Sequence, residues 1–209
     1  MIVLIMLNES GNQKVQKVET DNRTRVGKEH FPGEEMPDEA IMQLVAKGDR
    51  HAFAGLVRKY QAMLLNFFYR MNVYSGDRDD LMQETFLRLF KYRERYRPTA
   101  KFTTFLYMMA RQVQIDYFRK QQRRSILAKA FGNEPQEESC SGPNEDRKVQ
   151  IEKALNTLSE EMRCVVVMSI YQDLKYAEIA EILDIPVGTV KTRMFHALQK
   201  LRKVIKHEE

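Results

Sequence analysis

The sequence contains no tryptophan and few of the residues that mark secreted, fibrous or membrane proteins. It has 9 glycines, 6 prolines and 2 cysteines among 209 residues. Cys140 and Cys164 form no CxxC pair and have no histidine at ligand spacing, which indicates free thiols in a reducing compartment. The apolar stretch at residues 1–7 is too short to cross a bilayer and lacks the features of a signal peptide. We therefore predict a cytoplasmic protein without membrane insertion.

The sequence also lacks the patterns of a catalytic or metal site. It has no HExxH motif, no glycine-rich phosphate loop and no recognisable set of serine, histidine and acid. The 4 histidines, at positions 30, 51, 196 and 207, show no metal-ligand spacing. We expect no enzymatic activity, no metal and no cofactor.

What is abundant favours helices. Charged residues make up 30% of the chain, hydrophobic residues 43%, and the net charge is +5. Apolar residues recur at steps of three and four, which predicts helices at about residues 50–71, 78–96 and 102–122 and one helix carrying Leu155, Leu158, Met162, Val165 and Val166. Residues 134–146 contain acids, prolines and a glycine but no lysine or arginine, a composition typical of a linker. We predict an all-α protein with a flexible extension (1–36), a first domain (37–124), a linker (125–146) and a second domain (147–209).

Residues 176–203 predict a helix-turn-helix. A short helix at 177–183 is followed by Asp184-Ile185-Pro186, which suits a left-handed turn and the start of a new helix. The second helix has an apolar stripe that includes Val187 and Leu198, and residues 187–206 hold six lysines or arginines and no acid. A basic amphipathic helix is also common as a solvated face. The residues predicted to enter the major groove are Thr189, Lys191, Thr192, Arg193, His196 and Lys200.

Two helices of the first domain also carry patterned polar residues. Asp80, Gln83 and Glu84 share one helical face, which is either a binding surface or a solvated one. Residues 101–120, KFTTFLYMMARQVQIDYFRK, interleave aromatic rings with cations, as proteins that hold single-stranded DNA do. For Phe102, Phe105 and Tyr107, packing in the core is as good an interpretation as stacking on bases.

These motifs resemble those of the bacterial sigma factors, which direct RNA polymerase to promoters. IPVGTVKTR followed by ALQKLRK is similar to their promoter-reading C-terminal domain, although Asp184 stands where the family usually has glycine. DLMQE resembles the segment that docks on the coiled coil of the polymerase beta-prime subunit. KFTTF and ARQ resemble the promoter-melting segment of primary sigma factors, and IDYFRK resembles that of the extracytoplasmic-function (ECF) group. Met108 and Met109 replace a tryptophan pair of the primary factors.

The resemblance implies an alternative sigma factor that binds core polymerase, recognises minus-35 and minus-10 promoter elements and melts DNA to initiate transcription. It leaves open an anti-sigma factor as a further partner. A stand-alone helix-turn-helix regulator is one alternative, but it would not need the acidic face or the aromatic helix. A nucleic-acid enzyme that uses the basic helices as a clamp is another, but it would need a set of carboxylates or a metal site, and the sequence shows neither. The residues implied are Asp80, Gln83 and Glu84 for core polymerase; Lys101, Phe102, Phe105, Tyr107, Arg111, Gln112, Arg119 and Lys120 for the minus-10 element; and the major-groove residues above for the minus-35 element.

Overall fold

A computed structural model describes residues 36–130 and 146–206 of the chain. The predicted extension, except for its last residue, and most of the predicted linker lie outside these residues. The described residues form helices joined by turns and include no strand. The prediction of an all-α fold is confirmed.

The first domain contains four α-helices with short 3-10 turns on either side of the third. Asp49 fixes the start of the second helix, since its Oδ1 accepts hydrogen bonds from the backbone N–H groups of His51 and Ala52 at 2.9 and 3.0 Å. The third helix is shorter than predicted and passes into a 3-10 turn at Arg93. The helices are α1 (Asp38–Ala46), α2 (Arg50–Arg70), α3 (Arg78–Tyr92) and α4 (Phe102–Ala130), and the 3-10 turns are Ser75–Asp77 and Arg93–Arg95.

The longest helix, α4, is anchored at its start by the first helix. Glu39 of α1 accepts a hydrogen bond from the backbone N–H of Phe102 at 2.7 Å, which satisfies a donor that the first turn leaves free. The predicted end near Gln122 was wrong, because α4 continues to Ala130. No glycine or proline interrupts residues 102–130, so local propensity allows the longer helix.

The second domain begins with two helices where the sequence predicted one. Asn156 ends the first of them, and the Ser159 hydroxyl accepts from the backbone N–H of Met162 at 3.4 Å to start the next. Because the spacing of apolar residues does not reveal this cap, the sequence wrongly predicted one continuous helix. The elements are α5 (Asp146–Asn156), α6 (Glu160–Val166), a π-helical segment (Val167–Tyr171), α7 (Tyr176–Leu183) and α8 (Val187–Lys206).

The predicted turn of the helix-turn-helix is confirmed at α7 and α8. Asp184 adopts the left-handed conformation, with φ 52° and ψ 50°. The N–H of Ile185 then bonds to the carbonyl of Ala180 at 3.1 Å, and Pro186 accepts from Thr189 at 2.9 Å in the first turn of α8. An aspartate therefore performs here the turn that glycine would perform with less strain.

The two domains pack against each other, with α4 of the first domain lying along α7 of the second. Buried side chains of both domains belong to one cluster, from Ile41 in α1 to Ala197 in α8. In the described part of the chain, no helix has the length and apolar character needed to cross a bilayer.

The left-handed turn at Asp184 yields a stability prediction. Asp184→Val should lower the free energy of unfolding by about 1–2 kcal/mol, because a β-branched side chain clashes with the backbone at this φ. Asp184→Asn should change it by less than about 0.5 kcal/mol, since asparagine tolerates the same conformation and the position is exposed. Urea unfolding followed by circular dichroism measures both. Equal stabilities of the two variants would contradict the role assigned to the turn.

Candidate nucleic-acid interface

The second helix of the helix-turn-helix, α8, buries one side against its own domain. Val190, Met194 and Ala197 are buried, and α8 packs against α6 and α7. Val187 and Leu198, which the sequence placed in the same stripe, are exposed at 38% and 40%. The apolar stripe is therefore narrower than predicted, and more of the helix surface is available for contact.

The predicted major-groove residues differ in how free they are. Lys191, His196 and Lys200 are exposed. The exposed Thr192 donates its hydroxyl hydrogen to the carbonyl of Gly188 at 3.0 Å, which leaves its oxygen as an acceptor. Arg193 lies 3.5 Å from the carboxylate of Glu161 in α6, measured from Nη2 to Oε2. Thr189, the sixth, is partly buried.

The sequence analysis missed Phe195 on this surface. Its ring is 58% exposed and lies beside the ring of His196, with centroids 5.6 Å apart. An exposed aromatic ring on a cationic helix can contact the methyl group of thymine in the major groove. The sequence could have predicted this exposure, because Phe195 directly follows Met194 and so falls outside the apolar stripe of the helix.

The polar face of α3 lies opposite a buried apolar side. Leu81, Thr85, Phe86 and Leu89 are buried. Asp80 and Gln83 are exposed, whereas Glu84 is partly buried. The three side chains therefore form a surface that a partner can reach.

Arg88 connects this face to α4. Its Nε donates to Glu84 Oε1 at 2.8 Å, and its Nη1 donates to Asp116 Oδ2 at 2.8 Å. The hydrogen bond that Arg88 donates to Glu84, together with the one to Asp116, raises the pKa of Arg88. Arg88 therefore fixes the position of the Glu84 carboxylate, while the exposed carboxylate of Asp80 has no ion-pair partner among residues 36–130 and 146–206.

The aromatic rings of α4 are packed in the first domain. Phe102 is buried with its ring centroid 5.3 Å from that of Tyr60, and Tyr107 is buried 5.5 Å from Phe67. Phe105 is partly buried and lies 5.2 Å from Tyr96. In this conformation the rings occupy the core, the alternative that the sequence left open.

The polar residues of α4 divide between open and covered positions. Arg111 is only 14% exposed, because Nη1 is held by Glu160 of α6 and by Gln114. Gln114 itself is buried. The predicted minus-10 residues with exposed side chains are Lys101, Gln112, Arg119 and Lys120.

Residues 36–130 and 146–206 contain neither a candidate metal site nor a reactive thiol. They contain no group of three or more His, Cys, Asp or Glu residues that could hold a metal ion. Cys164 is fully buried, and burial raises the pKa of its thiol to about 11. Such a thiol is a poor nucleophile at neutral pH. What the described surface offers is cations, an exposed ring and an acidic face.

Two family models match the chain in the order of its domains. Sigma-70 region 2 matches residues 56–124, which hold most of α2 and all of α3. Sigma-70, region 4 matches residues 148–201, which include the helix-turn-helix.

Curated proteins match over most of the chain. The ECF RNA polymerase sigma-E factor of Escherichia coli (strain K12) is 31% identical over 180 residues, covering 80% of this chain and 94% of that protein. The protein of the same name from Haemophilus influenzae is 30% identical over 187 residues, covering 82% of this chain and 97% of its own.

Solved structures show the same fold. CnrH in complex with the cytosolic domain of CnrY has a TM-score of 0.65 at 20% identity, covering 82% of this chain and 99% of its own. The sigma factor RpoE from Bartonella quintana, in complex with the anti-sigma factor NepR, has a TM-score of 0.64 at 18% identity, covering 75% of this chain and 98% of its own. At these identities the similarity concerns the fold alone.

Proposed function

The chain belongs to the extracytoplasmic-function (ECF) sigma factors of the sigma-70 family, and on that premise we propose which of its surfaces carry out the work of an alternative sigma factor. It binds core RNA polymerase and directs promoter recognition and transcription initiation. The observation that carries this function is the match to sigma-E factors at 31% identity over 94% of their length. No observation favours a stand-alone regulator.

Core polymerase binds the exposed face of α3. Asp80 and Gln83 are accessible there, and Glu84 is held beside them by Arg88. Carboxylates on a rigid helix suit a basic partner such as the predicted site on the beta-prime coiled coil, because charge complementarity orients the encounter. Between Asp80 and Gln83, Leu81 is buried in the core, and Met82 is partly buried and packs against it.

Minus-10 DNA binds α4. Lys101, Gln112, Arg119 and Lys120 are exposed and supply cations for phosphates and an amide for a base edge. The predicted minus-10 set also includes Arg111, Phe105, Phe102 and Tyr107. The rings of Phe102 and Tyr107 are buried, so in this conformation they hold the helix in place and do not contact DNA. The methionines at positions 108 and 109 replace bulkier rings, which suggests weaker intrinsic melting.

Minus-35 DNA binds the major-groove residues of α8, to which we add Phe195. Lys191 and Lys200 contact phosphates or guanine, and the exposed ring of Phe195 packs on a thymine methyl group. Arg193 lies near the start of the helix, where recognition helices meet bases, but it must release Glu161 to do so.

These roles are those of a binding protein, so we propose a cytoplasmic factor without enzymatic activity, metal or cofactor. One structural neighbour, the sigma factor RpoE from Bartonella quintana, is in complex with the anti-sigma factor NepR. By analogy, an anti-sigma factor is the partner that would regulate this chain.

Run-off transcription tests the function directly. The chain mixed with bacterial core polymerase should produce specific transcripts from a library of genomic fragments, and core polymerase alone should not. Sequencing of the active templates should recover two conserved elements, since two domains read DNA. A different outcome would support a stand-alone regulator: the chain alone binds DNA tightly and sequence-specifically in gel shifts, and no core-dependent transcript appears.

Asp80→Lys tests the polymerase-binding face. The variant should bind core polymerase more than about tenfold more weakly, because reversal places two cations opposite each other. Glu94→Lys is the matched control, since Glu94 is an exposed acid of the same domain that pairs with its neighbour Arg93. Surface plasmon resonance with immobilised core polymerase measures the affinities of both variants, and circular dichroism verifies that they are folded. Equal binding by the two variants would remove Asp80 from the interface.

Arg193→Ala and Lys200→Ala test the recognition helix. Arg193→Ala should cost about 1–3 kcal/mol and relax the preference at one minus-35 position, because only a base contact depends on sequence. Lys200→Ala should weaken binding to all sequences alike and reduce the salt slope by about one. The measurement is the affinity of each full-length variant for duplexes with single-base changes, at several salt concentrations. An even loss across the panel for Arg193→Ala would make Arg193 a phosphate contact.

A further inference from the structure

A single carboxylate lies among the cations of α4. The helix contains six lysines and arginines and one acid, Asp116, whose side chain is 53% exposed. Asp116 follows Gln112 by four residues and precedes Arg119 by three, and Lys120 comes next. Residues at these spacings share one face of a helix, with Cβ atoms roughly 5–6 Å apart, and all three neighbours are exposed. The carboxylate therefore lies at the centre of the surface assigned above to minus-10 DNA.

An unpaired negative charge at this position would oppose DNA. Every DNA phosphate is anionic, and affinity for the backbone comes from the cations that neutralise it. A carboxylate between Gln112 and Arg119 repels the phosphates that Arg119 and Lys120 attract, and this repulsion is strongest at low salt. The surface needs a way to remove the charge of Asp116 if it is to hold DNA.

The guanidinium of Arg88 in α3 meets this carboxylate. Its Nη1 donates to Asp116 Oδ2 at 2.8 Å, while its Nε donates to Glu84 Oε1 at 2.8 Å. An arginine can serve two carboxylates in this way because its donors form a rigid, planar fork that stays charged. Within residues 36–130 and 146–206, Asp116 has no other ion-pair partner. The Asp116 carboxylate is thus drawn towards α3 and neutralised there.

We propose that Arg88 is a positioning residue for promoter DNA, which holds and neutralises the Asp116 carboxylate so that α4 offers its cations to phosphates without an opposing charge. The inference rests on the proposed function, because that function assigns DNA to α4. One guanidinium then serves two binding surfaces, since the same group orients Glu84 on the face assigned to core polymerase.

The bridge also ties α3 to α4, and this tie is the competing explanation for any effect on DNA. A second link between the same parts of the domain supplies a control. The Tyr117 hydroxyl of α4 donates to Asp77 Oδ2, in the turn before α3, at 2.8 Å. Tyr117→Phe removes this hydrogen bond without changing any charge on α4. It is therefore the matched control for a loosened contact between the helices.

Arg88→Gln and Asp116→Asn break the same bridge but change the charge in opposite directions. Arg88→Gln leaves the carboxylate unpaired, so the affinity of the full chain for a labelled random-sequence single-stranded 20-mer should fall about threefold to tenfold at low salt. Asp116→Asn removes the negative charge and should raise the affinity by a similar factor. The double variant should bind at least as tightly as wild type, and Tyr117→Phe should bind like wild type.

Fluorescence anisotropy at several salt concentrations measures these affinities. The differences among the variants should shrink as salt rises, because salt screens exposed charges. Circular dichroism and thermal unfolding verify that the variants are folded, and the loss of one surface ion pair should cost little stability. If Arg88→Gln does not fold, Asp116→Asn still decides, since a lost tie lowers its affinity and a removed charge raises it.

Weaker binding by both Arg88→Gln and Asp116→Asn would overturn the proposal, because a tie between helices is lost in either variant. A double variant as weak as Arg88→Gln would also overturn it and make Arg88 itself a phosphate contact. Unchanged affinity in both single variants would show that the carboxylate does not face DNA, with the same consequence.

None of these results touches the function as a sigma factor, which run-off transcription with the wild-type chain tests. Failure of that transcription, together with opposite effects of Arg88→Gln and Asp116→Asn on the single strand, would overturn the proposed function and retain the role of Arg88 in binding nucleic acid.

Discussion

Burial of α4 on two sides is the constraint on which the rest of the structure depends. One side supplies Phe102 and Tyr107 to the aromatic core of the first domain, against Tyr60 and Phe67 of α2. Another side carries polar groups that face the second domain. The ring of Tyr107 packs in the aromatic core of the first domain, and its hydroxyl group donates to Gln172 of the second domain. This single side chain therefore joins the core to the interface.

Energetically the two sides are different. Aromatic rings that leave water gain roughly 1.5–3 kcal/mol each, and this gain does not depend on salt. The interface instead relies on ion pairs, of which Lys101 is 62% exposed, and such pairs contribute little and are screened by salt. Several of its buried polar atoms also have no partner among the described residues. The first domain therefore depends on its aromatic core for stability more than on its contacts with the second domain.

The acidic face of α3 and the cationic face of α8 lie away from this interface. Asp80 and Gln83 on one, and Lys191 and Lys200 on the other, are exposed. The packing of the two domains covers only part of α4, because Lys101, Gln112, Arg119 and Lys120 are exposed as well. All three surfaces assigned to partners therefore keep accessible polar side chains in this arrangement.

The sequence by itself determined the helical class, the turn at Asp184 and where four helices begin (α2, α3, α4 and α8). It could do so because hydrophobic periodicity, helix caps and the tolerance of aspartate for the left-handed conformation are local properties. It also indicated the family and the polar faces of α3 and α8. It misjudged the end of α4 and the break at Ser159, where local signals permit more than one outcome. Only the tertiary structure decided that Phe102 and Tyr107 are core, that Arg193 is paired with Glu161, and that Glu160 meets Arg111. Those facts depend on contacts between residues 32 to 49 positions apart in the chain, which no local pattern encodes.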